Sequence, residues 1–312
     1  MKNERKKLYA LLIAVCVVCA AVAVLSGVFS KPEKQKPQEK PQNQETEHDS
    51  ETEIQENPIE ISTPEQEEKV EDELPPFDIP PAQNGATLVF IFDDAGQSAD
   101  FVREYVSLPF PLAISVLPGL PHTKDCASLI RDSGKELMLH QPMQSENLNL
   151  YPGPESIQPE MNTTEIEALI EKNLLELGEN VRGCNNHEGS LITTNVVKMG
   201  AVLETCRKHG IYFLDSRTTP QTVADAVALE MDIPILERNA PYLDNEIDRE
   251  KMLSRVYECL EKANKSGVAV IIGHVDKSVE ILPALLEQMH PYLVSAGYRF
   301  DVPSSLVPKQ AD

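Results

Sequence analysis

Asp93 and Asp94 stand side by side, directly after the apolar run Leu88–Phe92. Two adjacent carboxylates repel, so the pair favours a cation between them or a raised pKa on one. Within a strand they point to opposite faces. At a strand end the chain can turn and bring both toward one ion or water. The plainer alternative is that one of them caps the helix expected near Ser98. His140 follows the run Glu136–Leu139, and His187 follows Asn185 and Asn186 after the weaker run Val181–Gly183. Two imidazoles on neighbouring strands and one carboxylate make a common catalytic zinc set that leaves a position open for water. For either histidine alone, a buried hydrogen-bonded ring is the structural alternative. His274 comes after Val268–Ile272 and Gly273, a place suited to a general acid or base. Asp215 follows Ile211–Leu214, and Arg238 follows the run ending at Glu237. His48, His122, His209 and His290 fall in a polar stretch or in helices and read as structural.

These residues need a scaffold that brings strand ends together. From Thr87 onward, short apolar runs alternate with longer amphipathic stretches. The runs, with Leu112–Leu117 among them, suit parallel strands buried on both faces. Helices are expected over Ser98–Val106, His122–Ser133, Thr163–Leu177, Asn195–Lys208, Thr222–Met231, Asp248–Asn264 and Val279–Ala296. Asn162 to Glu165 has the form of a capping box, and Gly134, Gly210, Gly267 and Gly297 read as helix stops. Strict alternation over this length predicts an α/β fold, a deformed (β/α) barrel of about seven parallel strands, with a doubly wound open sheet as the alternative. In a parallel barrel all six strand-end positions lie on one rim, where active sites are built.

The rest of the chain sets the context. Residues 1–30 carry a basic start and then an uncharged run, Leu8 to Ser30, long enough to cross a bilayer of ~30 Å. They read as an uncleaved membrane anchor, with a cleaved signal as the alternative, and imply a single-pass protein of the cytoplasmic (inner) membrane whose folded domain is exported. Residues 31–85 are rich in Pro, Gln, Glu and Lys and read as an acidic linker. They supply -11 of the formal net charge of -22. Residues 86–312 form the folded domain. The acidic balance argues against nucleic acid as the main partner. Trp is absent, so a sugar-stacking surface must use Tyr, Phe or His. Cys126, Cys184, Cys206 and Cys259 show no metal-type spacing and indicate no disulfide pattern.

The blocks Phe92 to Gly96, His140 to Met143, Tyr151 to Pro154, Asn185 to Ser190, Asp215 to Thr218, Tyr242 to Asp244 and Ile272 to His274 together resemble the divergent polysaccharide deacetylase family, distant relatives of the NodB-like carbohydrate esterases. The resemblance covers about Thr87 to Leu306. It implies a NodB-like deformed barrel, a divalent metal, usually zinc, and hydrolysis of N-acetyl groups on an aminosugar polymer or peptidoglycan. It assigns Asp93 as base, Asp94 and His140 as metal ligands and His274 as acid. The better-known members place a second metal-binding histidine four residues after the first. Here that residue is Gln144, and His187 on the next strand is placed to substitute. Asn185 or Asn186 is expected to hold the other nitrogen of His187. Asp215 is expected to orient His274 or a metal ligand, and Arg217 or Arg238 to hold Asp93 ionised or anchor the substrate. The rival reading, favoured by Gln144, is a catalytically weak or inactive barrel that binds peptidoglycan or an envelope or division partner.

Overall fold

The structure, a computed structural model, describes residues 77–308. The candidate membrane segment and nearly all of the expected linker lie outside the described residues. Among the described residues, no helix is long and apolar enough to cross a membrane.

Seven parallel strands run in the order β6-β5-β4-β3-β2-β1-β7. They are β1 (Thr87–Ala95), β2 (Ala113–Val116), β3 (Glu136–Met143), β4 (Val181–Glu188), β5 (Tyr212–Asp215), β6 (Ile235–Glu237) and β7 (Val268–His274). A helix follows each of the first six: α1 (Ala99–Val106), α2 (Thr123–Asp132), α3 (Thr163–Leu177), α4 (Val196–Lys208), α5 (Ala224–Glu230) and α6 (Arg249–Ser266). After β7 come a single turn, α7 (Val275–Ser278), and the long α8 (Leu282–Ser295). A short β8 (Arg299–Asp301) then pairs in parallel with the lower half of β1. The strands form a nearly closed (β/α) barrel. Between β6 and β7 a loop replaces the missing ladder. The Asn239 side chain accepts from Val270 N–H at 2.8 Å, and Leu243 N–H donates to the Ile272 carbonyl at 3.0 Å.

Period-two alternation divides the strand side chains between two cores. Leu88, Phe90 and Phe92 of β1 join the large outer core under the helices, with Leu137 and Leu139 of β3 and Ala269 and Ile271 of β7. Ile91, Met138, Leu214, Val270 and Ile272 point the other way and fill the barrel interior. Tyr212 closes the lower end of that interior. Its hydroxyl donates to buried Glu136 at 2.6 Å, and its ring leaves no room for a Cβ at Gly183. The Asn162 capping box of α3 forms as its sequence requires.

One boundary is corrected. The expected linker runs to residue 85, yet Phe77 is buried, with its ring edge-on to Tyr292 at 5.6 Å. Ala82 N–H donates to the Ala296 carbonyl, and Gln83 N–H donates to the Asn264 side chain, each at 2.8 Å. The stretch Phe77–Gly85 therefore packs on α6 and α8. The polar linker composition ends before Phe77, and the Pro-rich stretch after it hid the packing.

Candidate metal centre and its acid and base

The inner parity of each strand selects which rim residues meet. Asp93 lies above Ile91, His140 above Met138, and His274 above Ile272, all with inward-facing neighbours. Asn185 and His187 share one parity on β4. Asp94 has the wrong parity, and the backbone corrects it. Its φ is +66°, in the left-handed region, and the β1–β2 register shifts between Phe92 and Ala95. Asp tolerates that conformation better than most residues. The turn brings both carboxylates to one cavity.

That cavity measures about 230 Å3 and is lined by Asp93, Asp94, His140, His187, Tyr242 and His274, among others. Asp94 Oδ1 lies 2.8 Å from His187 Nδ1 and 3.2 Å from His140 Nε2, and the two ring nitrogens are 3.2 Å apart. Three donor atoms thus face one another. Asp94 Oδ1 is buried and still gains no well-formed hydrogen bond. The separations approach the ~3.3 Å edge of a tetrahedron with metal–ligand distances of ~2.0–2.1 Å. One carboxylate oxygen and two imidazole nitrogens are the donor set that zinc and similar divalent ions take. The residues fit such an ion. Electrostatics agrees. Burial opposes charge on His140, but Asp93 and Asp94 outweigh it and push its pKa up to about 9. Burial likewise opposes ionisation of Asp94, and both histidines overcome it and hold the carboxyl well below its usual range. The pocket stabilises positive charge at this point.

The groups around the cluster are held in turn. The Asn185 side-chain oxygen accepts from His140 Nδ1 at 2.8 Å, while its NH2 group donates to both Asp93 oxygens at 2.9 and 3.0 Å. Asp93 is 2 % exposed, and its Oδ2 lies 3.7 Å from His140 Nε2. On β7, in register with Asp93 of β1, His274 donates its backbone N–H to Asp244 Oδ2 at 2.7 Å and its Nδ1 to Asp244 Oδ1 at 2.8 Å. Burial lowers the His274 pKa, but the hydrogen bond and charge of Asp244 outweigh it and raise it above the usual 6.5. The Tyr242 ring stacks on His274 with centroids 5.5 Å apart.

Four expectations need correction. Asp215 does not orient His274. It has the outward parity of Phe213, and its carboxylate accepts from Thr222 Oγ1 and Arg217 N–H at 2.7 Å each, which fixes the β5–α5 loop. Asp244, not singled out for this role from sequence, is the partner of His274. Arg238 makes no hydrogen bond to Asp93, and its half-buried side chain borders a separate cleft with Arg217 and Thr219. It donates to the Ser216, Arg217 and Ala240 carbonyls and lies 4.0 Å over the Tyr242 ring, so it supports the wall behind His274. Arg217 pairs with Glu237 instead. Asn185 holds His140 rather than His187, and Asn186 accepts from Ser216 N–H at 2.9 Å to lock β4 to β5. Gln144 points away from the donor cluster and donates to the Ser145 and Leu150 carbonyls. Glu188 also lines the cavity. Parity along each strand was the sequence signal that separated Asp215 from the inward group.

Comparisons with known proteins identify the family and the fold. A family profile described as divergent polysaccharide deacetylase matches residues 90–307. The chain belongs to the divergent polysaccharide deacetylase family. The match spans β1 to the last 3-10 turn and so includes every residue of the site. The chain is 28% identical over 231 residues to the uncharacterized protein YibQ of Escherichia coli (strain K12), covering 72% of this chain and 71% of YibQ. It is 24% identical over 195 residues to an uncharacterized protein of Haemophilus influenzae, covering 60% of this chain and 66% of that one. The crystal structure of an uncharacterized protein of Agrobacterium tumefaciens C58 superposes with a TM-score of 0.64 at 18% identity, covering 72% of this chain and 90% of that one. That likeness shows the shared fold.

Proposed function

We propose that this chain is a metal-dependent hydrolase of the cell envelope that removes N-acetyl groups from an aminosugar polymer such as peptidoglycan. The observation that carries the reading is the convergence on one cavity of three metal-type donors, a buried carboxylate and an aspartate-paired histidine. Asp94, His140 and His187 would hold the ion. When bound, a divalent ion of this class polarises an amide carbonyl and lowers the pKa of a water from ~15.7 toward ~7.

The chain's own groups supply the proton chemistry. Asp93, held by Asn185, accepts the proton of the attacking water. Asp244 keeps Nδ1 of His274 protonated and leaves Nε2 as the donor. In its charged form His274 passes that proton to the leaving amine nitrogen as the C–N bond breaks. The base and the acid pair in register on the adjacent strands β1 and β7, and both line the cavity that holds the donor cluster. Tyr242 and the Arg238 behind it keep the acid in place.

A cavity of about 230 Å3 is small beside the ~300–1,000 Å3 of drug-sized sites. On this reading it receives one acetamido group of a polymer that lies across the rim. Leu148, Leu150 and Tyr151 stand exposed on the loop after β3 and offer an apolar face there. Placement at the membrane rests on the sequence of residues 1–30. The test is metal analysis of the purified chain together with acetate release from N-acetylglucosamine oligomers and from peptidoglycan. The reading expects one divalent ion per chain and acetate release that Asp93→Asn reduces by ~10²–10⁴-fold with the ion retained. No ion and no acetate would leave the barrel as a binding protein.

A further inference from the structure

We propose that Asn185 is a positioning residue that ties the metal ligand His140 and the base Asp93 to one another through a single amide group. The proposal rests on the hydrolase reading for its consequences in catalysis, but its geometry stands without it.

The amide is fully buried and both of its ends are engaged. Its oxygen accepts from His140 Nδ1 at 2.8 Å. Its nitrogen donates to both oxygens of Asp93 at 2.9 and 3.0 Å and lies 3.3 Å from Ser216 Oγ. An amide has a donor end and an acceptor end, and the two cannot exchange here. A flipped group would set its NH2 against the Nδ1–H of His140 and its oxygen against a carboxylate. The carboxylate therefore fixes the orientation of the amide, and the amide fixes the proton on His140. With Nδ1 protonated toward Asn185, Nε2 is the atom left to face Asp94 and His187, as it does at 3.2 Å from each partner atom. A ligand histidine gains its ring orientation and tautomer from such a second partner. Asn185 also reads the opposite way. By meeting both oxygens of Asp93 it aims that carboxylate beside the donor cluster instead of letting it join as a further ligand.

Strand architecture explains why one residue can do both. Asn185 pairs in register with His140 across β3 and β4. It shares the inward parity of His187 on its own strand, at the level from which β1 presents Asp93. Aspartate at this position would keep the acceptor for His140 and lose the donor for Asp93. Alanine would lose both. The two substitutions therefore separate the two tasks.

The experiment uses the full chain labelled with 15N-histidine. The hydrogen-bonded Nδ1–H of His140 is assigned by its loss in His140→Gln. Its proton resonance is expected in the parent and in Asn185→Asp, and is expected to vanish by fast exchange in Asn185→Ala. Zinc affinity, read by competition with a chromophoric chelator, is expected to fall ~10–100-fold in Asn185→Ala and to stay within ~3-fold of the parent in Asn185→Asp. Acetate release is expected to be lost in both. A merely structural role would lower zinc affinity, turnover and melting temperature in parallel for both variants, and that result overturns the proposal. So does an Nδ1–H signal that survives in Asn185→Ala. If the parent binds no zinc and releases no acetate, the hydrolase reading fails, while the Nδ1–H signal still decides whether Asn185 holds His140.

Discussion

His187 and Gln144 test the donor set most directly. His187 Nδ1 lies 2.8 Å from Asp94 Oδ1, whereas Gln144 donates to loop carbonyls and reaches no part of the cluster. Zinc affinity in His187→Ala is expected to fall as severely as in His140→Ala, while Gln144→Ala keeps it within a few-fold. Isothermal titration with zinc checks both, and full metal retention in His187→Ala would remove it from the ligand set. The pair Asp244 and His274 sets the pH behaviour. In the proposed mechanism His274 acts as an acid in its charged form, so turnover is expected to fall as pH rises through its raised pKa. Asp244→Asn removes the charge and leaves the burial, which acts in the opposite direction, so the alkaline limb of the kcat profile is expected to move to lower pH. Stability follows the same signs. The raised His274 pKa contributes stability that is full below ~6.5 and is lost as pH rises through the folded value. The lowered pKa of Asp244 contributes stability present above ~3.9 and lost as pH falls through its folded value.

At the scale of elements, the strands carry the chemistry and the loops between them hold it in register. The left-handed residue Asp94 is the last but one of β1, and another, Glu188, ends β4 just beyond His187. Each turns the chain from the strand at the rim. The approach to β1 is itself part of the fold, because Phe77 is 5 % exposed and packs on Tyr292 of α8. Phe77→Ala is expected to cost about 3 kcal/mol, in line with other buried Phe truncations. A chain begun at residue 86 is expected to melt several degrees below one begun at residue 77. Differential scanning calorimetry of the two chains measures this, and equal melting temperatures would show that the Phe77–Gly85 packing contributes nothing.

For the whole domain, the two hydrophobic cores include none of Asp94, His140 and His187. The fold therefore stands without an ion, and an ion adds stability by mass action alone. At a free concentration 100 times its Kd that gain is ~2.7 kcal/mol. At ~2–4 °C per kcal/mol for a domain of this size, chelation is expected to lower Tm by ~5–11 °C while the far-ultraviolet circular dichroism at 25 °C is unchanged. Collapse of secondary structure on chelation would make the ion a folding element instead.

Much of this was legible in the chain itself. Runs such as Leu88–Phe92 and Val268–Ile272 are apolar on both faces, which only a strand covered on both sides tolerates, and their alternation with capped helices specified a parallel barrel. Asp93, Asp94, His140, His187 and His274 all follow such runs, so their meeting on one rim followed from topology. Three matters were decided by tertiary structure. Asp94 enters the cluster through a backbone turn at φ +66°, which alternation alone forbids. Asp244 meets His274 because the loop that closes the gap between β6 and β7 carries it there, a contact across 30 residues with no local pattern. Asp215 and Asn185 were separated by which way each side chain faces. Chemically, Asp215 looked the better candidate for the site. The outward parity of β5 gave it a structural bond to Thr222, and the inward parity of β4 placed a neutral amide between Asp93 and His140. Residue type sets what a group can do. Only the pleat of the folded strand determines what it meets.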